Sequence, residues 1–591
     1  MERRKKITNI LLLLALFGVL ALIFTMMTTP WTFIQSEGSD KRFHLQRLAE
    51  TAMNFKNFDL TYIMTSTFGS TGQGINFFYP AAGLLPYLLA INITGSLVHG
   101  FFIGTFIRTI IGLSIGYLAI RMLGKSSKFG IFFSTSYVFS TYMMFDALPR
   151  FDLGEVLGLL ILPLVFSTFY LLLTNQGKPK LNIVVLALSL ALVTYCHLMA
   201  LLIVLVLIII IYVGYTLWNW TSFKVFGTSL LRFFVTGIIF LLLTMAFMIP
   251  FIEQYVNTEI RPPNLFNVFG IPGHGLQTLA EIFETSLSNN LGIGKVTLGL
   301  FVLIGIFYVA FNYKKLSKLS RFAYISGLAL TLISTNIFPW AVLRNTPVAL
   351  IQMPARFLPI ASLFLIYVIT DVTVQQLETT KFRLTWQEYF MNAAIMLIPV
   401  IFAAGSTIVF FVNHEKTPFA GPNDTVAAPG INRLGENVDW KKPVFAYSFL
   451  DYRPVSDFQS FKFAYGRQID IAGEKVALTD SATQARANGL TYKIERPKNQ
   501  TAKVTLPFWI YKESQYSLTV NGDKTKLTKN QNNLAEAVVN LVAGKNKITV
   551  QYNIPDYYKV ANGVSVVGVV LSLLFSALYL PISRKAHAEK G

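Results

Sequence analysis

Apolar runs of about 20 residues, each long enough to cross roughly 30 Å of hydrocarbon as a helix, recur along the chain with short polar segments between them. They lie near 7–27, 98–120, 129–147, 156–174, 181–196, 198–218, 230–250, 296–312, 321–340, 355–372, 390–411 and 562–582, which predicts about 12 spans. One more apolar stretch, 77–93 (FFYPAAGLLPYLLAINI), holds Pro80 and Pro86 and would invert every later loop if it crossed. It reads as a re-entrant or interfacial piece on the outer side. Cys196 and His197 leave room only for a tight outer turn between two spans. The first run follows MERRKK and lacks a small-residue cleavage site, so it reads as a retained helix with its N-terminus inside.

Between 412 and 560 the apolar runs shorten, and Gly, Asn, Asp and Lys become frequent. In its second half Lys503–Ile510, Gln515–Val520, Lys524–Leu527, Ala535–Val542 and Lys547–Asn553 read as strands. Asn521-Gly522 is a hairpin signal because both central residues of that turn need positive φ, and Ala543 to Asn546 reads as a second turn. The predicted fold is mainly α: a polytopic transmembrane helical core over 1–411, an extracytoplasmic antiparallel β domain over 412–560, and a last helix with a short basic cytoplasmic tail over 561–591.

Composition narrows the class. Hydrophobic residues make up 53% of the 591 and charged ones 14%, against roughly a quarter charged in soluble proteins, which excludes a single soluble domain. The net charge of +20 divides into +6 on the β domain and +14 on the rest. In the membrane part twenty Lys/Arg fall in the inner segments and nine in the outer loops, so the charge is a topology signal rather than a nucleic-acid signature. Cys196 is the only cysteine, so neither an intrachain disulfide nor a multi-cysteine metal site can form.

Candidate chemistry gathers in the outer segments. In the first loop a helix from Asp40 would set Asp40 and His44 on one face with Arg47 close by, a pairing suited to a shared metal or to a base and its orienter, or simply to an N-cap and solvated charges. Arg150, Asp152 and Glu155 crowd one turn, where carboxylates could hold an arginine ready for a phosphate. His197 marks another outer helix end, Gln352 and Arg356 open the tenth span shortly after Arg344, and Arg108 sits inside the second span, where it needs a partner or a cavity. His99, His414 and His587 are isolated, and His274 belongs to a long outer loop, 251–295, that could be a lid. No phosphate-binding glycine loop, HExxH or Gly-x-Ser-x-Gly is present.

The segments SDKRFHLQRLAE (39–50), INFFYP (75–80), RFDLGE (150–155), CHL (196–198), QMPARFL (352–358) and DYRP (451–454) come in an order that resembles the bacterial multi-pass proteins labelled 6-pyruvoyl-tetrahydropterin synthase-related. These are close to the YfhO-like group of the GT-C glycosyltransferase superfamily. The pterin label finds no zinc-binding histidine cluster here. The resemblance implies a GT-C-like core in a bacterial plasma membrane, termini cytoplasmic and β domain extracellular. It implies sugar transfer, with inversion, from a polyprenyl-phosphate donor to a cell-envelope polysaccharide or other glycan acceptor outside the membrane. By position, Asp40 would be the general base or a metal ligand beside His44, and Glu155 would orient Arg150 or help hold a cation; the catalytic set is then Asp40, His44 and Glu155. Arg47, Arg150, Asp152, His197, Gln352 and Arg356 would bind substrate, Arg150 and Arg356 at the donor phosphate. A divalent metal ion is left open as cofactor. Phe151 stands where a small residue is expected and would narrow the site. Phe77, Phe78, Tyr79, Trp440 and Trp509 could stack on sugars or serve as core and interface anchors. The alternatives are a flippase or transporter of lipid-linked saccharide, which would line a path through the bilayer with charges where this sequence gathers nearly all of them at one face, Arg108 excepted, and a non-catalytic envelope assembly protein that uses only the β domain.

Overall fold

The computed structural model describes residues 2–35, 40–261, 276–292, 296–343, 345–380, 385–414, 433–435 and 451–579. The helical part begins with α1 (Glu2–Thr28), β1 (Phe33–Gln35), α2 (Lys41–Phe55), α3 (Ile75–Phe78), α4 (Leu85–Thr94) and α5 (Leu97–Met122). It continues with α6 (Ser127–Val138), α7 (Thr141–Ala147), α8 (Leu153–Leu159), α9 (Leu162–Leu173), α10 (Pro179–Cys196), α11 (Leu198–Trp218) and α12 (Phe223–Asn257). Then follow α13 (Leu279–Leu287), α14 (Leu300–Phe311), α15 (Lys318–Ile333), α16 (Leu358–Thr379) and α17 (Thr385–His414).

Among the described residues nine stretches are long and apolar enough to cross a membrane, which makes this a multi-pass membrane protein. Helices occupy all twelve predicted stretches, but three fall short of a span: α6 and α7 are separated at Phe139 and Ser140, α14 has 12 residues and α15 has 16; α8 and α9 are also separated, at Leu160 and Ile161, but together reach 21 residues. The 77–93 stretch breaks into α3, a 3₁₀ turn and the 10-residue α4, none of which could span. The predicted outer loop 251–295 is shortened from both sides, because α12 runs on to Asn257 and α13 starts at Leu279; His274, like Arg344, Trp440 and His587, lies outside the described residues, and of His414 only the backbone is described.

Lipid tails are as apolar as leucine, so close backbone contact rather than water exclusion holds such helices together. The α5 helix shows the means: Gly100, Gly104, Gly112 and Gly116 recur at multiples of four. A Cβ at Gly104 would lie 2.4 Å from the Tyr87 ring of α4, and one at Gly112 would lie 2.5 Å from Leu160. Arg108 occupies the missing position of this stripe, buried, with its guanidinium 5.8 Å over the Phe24 ring.

The β part comprises β2 (Arg433–Gly435), which pairs with β1, then α18 (Phe458–Tyr465), β3 (Gln468–Ile471), β4 (Glu474–Ala477), β5 (Thr483–Arg486) and β6 (Gly489–Arg496). Next come β7 (Gln500–Trp509), β8 (Tyr516–Val520), β9 (Asp523–Thr525), β10 (Thr528–Lys529), β11 (Leu534–Leu541), β12 (Gly544–Tyr552) and finally α19 (Asp556–Tyr579). Two antiparallel five-stranded sheets, ordered β10-β11-β7-β3-β4 and β5-β6-β12-β8-β9, form a sandwich. Asn521 and Gly522 make the expected hairpin turn with φ of 54° and 104°. The second turn differs from its prediction: Gly544 to Asn546 already belong to β12, and the link from β11 crosses from one sheet to the other. Strands β3 to β6 are also additions, since their alternation is interrupted by turns every few residues.

The sandwich sits on the segment between α2 and α4. Asn488 Oδ1 accepts from the Tyr62 and Ile63 amides at 2.8 and 3.2 Å, the Trp509 amide donates to Thr71 O at 2.8 Å, and the Tyr511 hydroxyl accepts from the Gly74 amide at 2.6 Å. Phe77, Phe78 and Trp509 are buried in the shared core, so they anchor rather than face a sugar. At the end of α12, Glu253 accepts from Gln515, Tyr557 and Tyr558 and pairs with Lys512.

Candidate functional site

The sandwich-bearing end of the bundle gathers the chain breaks that place the candidate residues. Pro149 blocks continuation of α7, and Phe151 turns the chain at φ 59°, a left-handed conformation that costs a non-glycine residue about 1 kcal/mol. The Phe151 ring stacks on Phe101 at 5.3 Å and joins an apolar cluster with Leu45 and Leu153, so it packs beneath the site rather than narrowing it. Asp152 then caps α8, accepting from the Glu155 amide at 3.0 Å. His197 closes α10 and caps α11, its Nδ1 accepting from the Ala200 amide at 3.2 Å.

Arg150 is the centre. Its guanidinium lies 2.8 Å from Glu155, 3.2 Å from Asp152, 3.5 Å from Asp146 and 3.7 Å from Asp40. Glu155 is shared with Arg356, whose Nε is 3.4 Å away, and accepts from the Tyr142 hydroxyl at 3.0 Å. Arg356 Nη1 donates to Ile351 O and to Gln352 Oε1, both at 2.8 Å, so Gln352, itself at φ 64°, steadies the arginine. Arg356 Nη2 takes no acceptor among the described residues. Asp40 precedes α2 without capping it through its side chain, which is 43% exposed and is the accessible carboxylate of the group. His44 turns its Nε2 to Asp152 at 3.3 Å.

Arg47 stands one layer back. It donates to Asn76 Oδ1 at 2.8 Å and to the Tyr79 and Pro80 carbonyls, with its guanidinium 4.4 Å over the Tyr79 ring. Burial lowers its pKa to about 10, so it stays charged at neutral pH. The Tyr79 hydroxyl reaches Asp152 Oδ1 at 2.8 Å. The structure thus brings Asp40, His44, Arg150, Asp152, Glu155, His197 and Arg356 together and leaves Arg47 as the brace of the loop that delivers Tyr79. Sequence reasoning missed Asp146, Tyr79 as a carboxylate partner, and Tyr142. Asp146 carried a signal, its position four residues before Arg150.

A small cleft, with about 10 Å³ open to a water-sized sphere, lies beside this cluster. Glu155, His197 and Arg356 line its polar side; Leu159, Leu162, Ala200, Ile203 and Ile360 make the rest apolar.

Asp152, Glu155 and His197 each bring one potential metal-ligand atom within 4.8 Å of the others. Their bonding does not fit a metal. His197 Nδ1 is an acceptor, so the ring proton sits on Nε2, which therefore has no lone pair for a cation. Asp152 already takes Tyr79 and the Glu155 amide on Oδ1, with His44 close, and Arg150 and His197 at Oδ2. Glu155 Oε2 lies between two guanidiniums. The expectation of a divalent cation thus meets three candidate ligands that already face donors and guanidiniums; the two buried Asp146 carboxylate oxygens, outside that trio, take no hydrogen bond among the described residues.

No protein-family model matches the chain, and no curated protein sequence matches it. Among solved structures, the single-particle cryo-EM structure of the arabinofuranosyltransferase AftD from Mycobacteria aligns with 68% of this chain at 15% identity and a TM-score of 0.38, and this chain spans 26% of its length. The crystal structure of the Archaeoglobus fulgidus oligosaccharyltransferase, tethered to an acceptor peptide containing the NVT sequon, aligns with 68% of this chain at 13% identity and a TM-score of 0.36; this chain spans 55% of it.

Proposed function

We propose that this chain is a membrane glycosyltransferase of the GT-C type that moves a sugar from a polyprenyl-phosphate donor to a cell-envelope glycan on the outer face of the membrane. The observation that carries the reading is Arg356: a guanidinium fixed through Nη1 by Ile351 O and Gln352 Oε1, lining a small cleft that is polar at one side and apolar elsewhere. Its polar wall matches an anionic head and its apolar wall a lipid chain. The order of the motifs from SDKRFHLQRLAE to DYRP supports the same class.

In this scheme Arg356 and Arg150 hold the donor phosphate and strengthen their contacts as it leaves with the bonding electron pair. Asp40, at the accessible side of the cluster, takes the proton of the acceptor hydroxyl as its oxygen attacks the sugar carbon opposite the phosphate, which inverts that carbon. Glu155 sets the spacing of the two arginines. Asp152, with its donors, fixes the turn that carries Arg150.

The test is transfer of radiolabelled sugar from synthetic polyprenyl-phosphate sugars by the purified chain in lipid discs. Wild type should transfer, and Asp40→Asn should fall by about 10²-fold or more, the usual weight of a general base. If no donor supports transfer while fluorescent lipid-linked saccharide crosses liposomes containing the protein, the chain is a flippase instead.

A further inference from the structure

We infer that the site is built to work without a divalent metal: Asp152, Glu155 and His197 form a hydrogen-bond hub, and Arg150 and Arg356 stand where a metal would face a phosphate. The phosphate half rests on the transferase reading; the metal half rests on the donor set alone.

Three features carry it. His197 serves two helices at once, ending α10 and capping α11. The cap uses the Nδ1 lone pair, which leaves Nε2 as a proton donor 3.7 Å from Asp152 Oδ2. A carboxylate offers about four lone-pair sites, and five groups already converge on Asp152: Tyr79, the Glu155 amide, His44, Arg150 and His197. A divalent ion on Glu155 would share its Oε2 with guanidiniums at 2.8 and 3.4 Å, and like charges at that range repel strongly where water is excluded. Asp146 lies outside the trio; its two buried carboxylate oxygens take no hydrogen bond among the described residues, but Arg150 stands 3.5 Å away and would repel a cation there. Arg356 does offer what a phosphate needs, a fixed, permanently charged donor lining the cleft, with Arg150 behind Glu155.

The experiment uses the full chain in lipid discs, stripped with EDTA and titrated with Mn²⁺ while the electron paramagnetic resonance signal of the free ion is followed. Geranyl phosphate binding is measured in the same discs. The expected result is no saturable Mn²⁺ site, geranyl phosphate binding that EDTA leaves unchanged, and binding about tenfold weaker in Arg356→Gln, the loss of one charge-assisted contact. His197→Asn keeps an oxygen to cap α11 but has no Nε2. It should therefore melt near wild type, with His197→Ala below both. One saturable Mn²⁺ per chain that disappears in His197→Asn or Asp152→Asn overturns the inference and leaves the transferase reading in place. Absence of both Mn²⁺ and geranyl phosphate binding sinks the transferase reading and leaves the metal-free hub standing.

Discussion

Arg150 shows how much one side chain can organise. Four carboxylates approach it, and removing it would leave the three buried ones, Asp146, Asp152 and Glu155, facing one another without their shared cation, an arrangement that costs several kcal/mol. Glu50, on α2, is held the other way, by donors alone: the amides of Thr65, Ser66 and Thr67 and the Thr67 hydroxyl point at its two oxygens, while the Thr65 hydroxyl donates to the Arg486 carbonyl at 2.8 Å. That cage shapes the loop which, ten residues later, presents Asn76 and Tyr79 to Arg47. Gly154 is required by the same fit. A Cβ there would stand 2.1 Å from the Tyr79 hydroxyl and 2.8 Å from the Cys196 carbonyl. Gly154→Ala should therefore displace Tyr79 from Asp152 and lower stability by about 1–3 kcal/mol, the usual cost of overpacking. Thermal unfolding checks this, and the double variant with Tyr79→Phe should lose less than the sum of the two single changes, because the phenyl ring removes the clashing oxygen.

Elements meet where side chains are absent. The glycine stripe of α5 lets α4 lie against it at Gly100 and Gly104 and lets Leu160 and Ser134 approach at Gly112 and Gly116. Since α4 follows directly from the loop that carries Tyr79, this packing sets the height of the site above the bundle. Gly104→Leu should push α4 off, because the Tyr87 backbone as well as its ring stands in the way. The expected outcome is faster hydrogen exchange over 82–94 and loss of transfer, with α10 and α11 still protected. Exchange in α4 equal to wild type would refute it. The stripe was visible in the sequence as a four-residue spacing, but which helices it receives was not, because any apolar helix face satisfies the same pattern.

For the whole molecule, charge separates the two ends. Lys125 pairs with Asp371 and Lys128 with Glu388 at one end; the Arg150 cluster and the sandwich share the other. If the first end is cytoplasmic, as the excess of basic residues implies, an impermeant maleimide applied to intact cells should label Lys524→Cys and spare Lys128→Cys until the cells are opened. The native Cys196 is buried and should stay silent. The reverse labelling pattern would put the site on the inner face and end the proposed reading.

The sequence by itself determined the membrane class, the helical stretches, the hairpin at Asn521-Gly522 and the short list of charged residues at one end, because hydropathy, φ preference and charge are properties of local composition. It also held most of the site as isolated letters: Asp40, His44, Arg150, Asp152, Glu155, His197 and Arg356. Only the tertiary structure decided how they are used. It put Tyr142 beside Glu155, turned Trp509 and Phe77 into core, made Arg47 a brace, and placed the proton of His197 on the nitrogen that faces Asp152. These outcomes depend on contacts between segments far apart in the chain, and no local pattern encodes which segment will arrive.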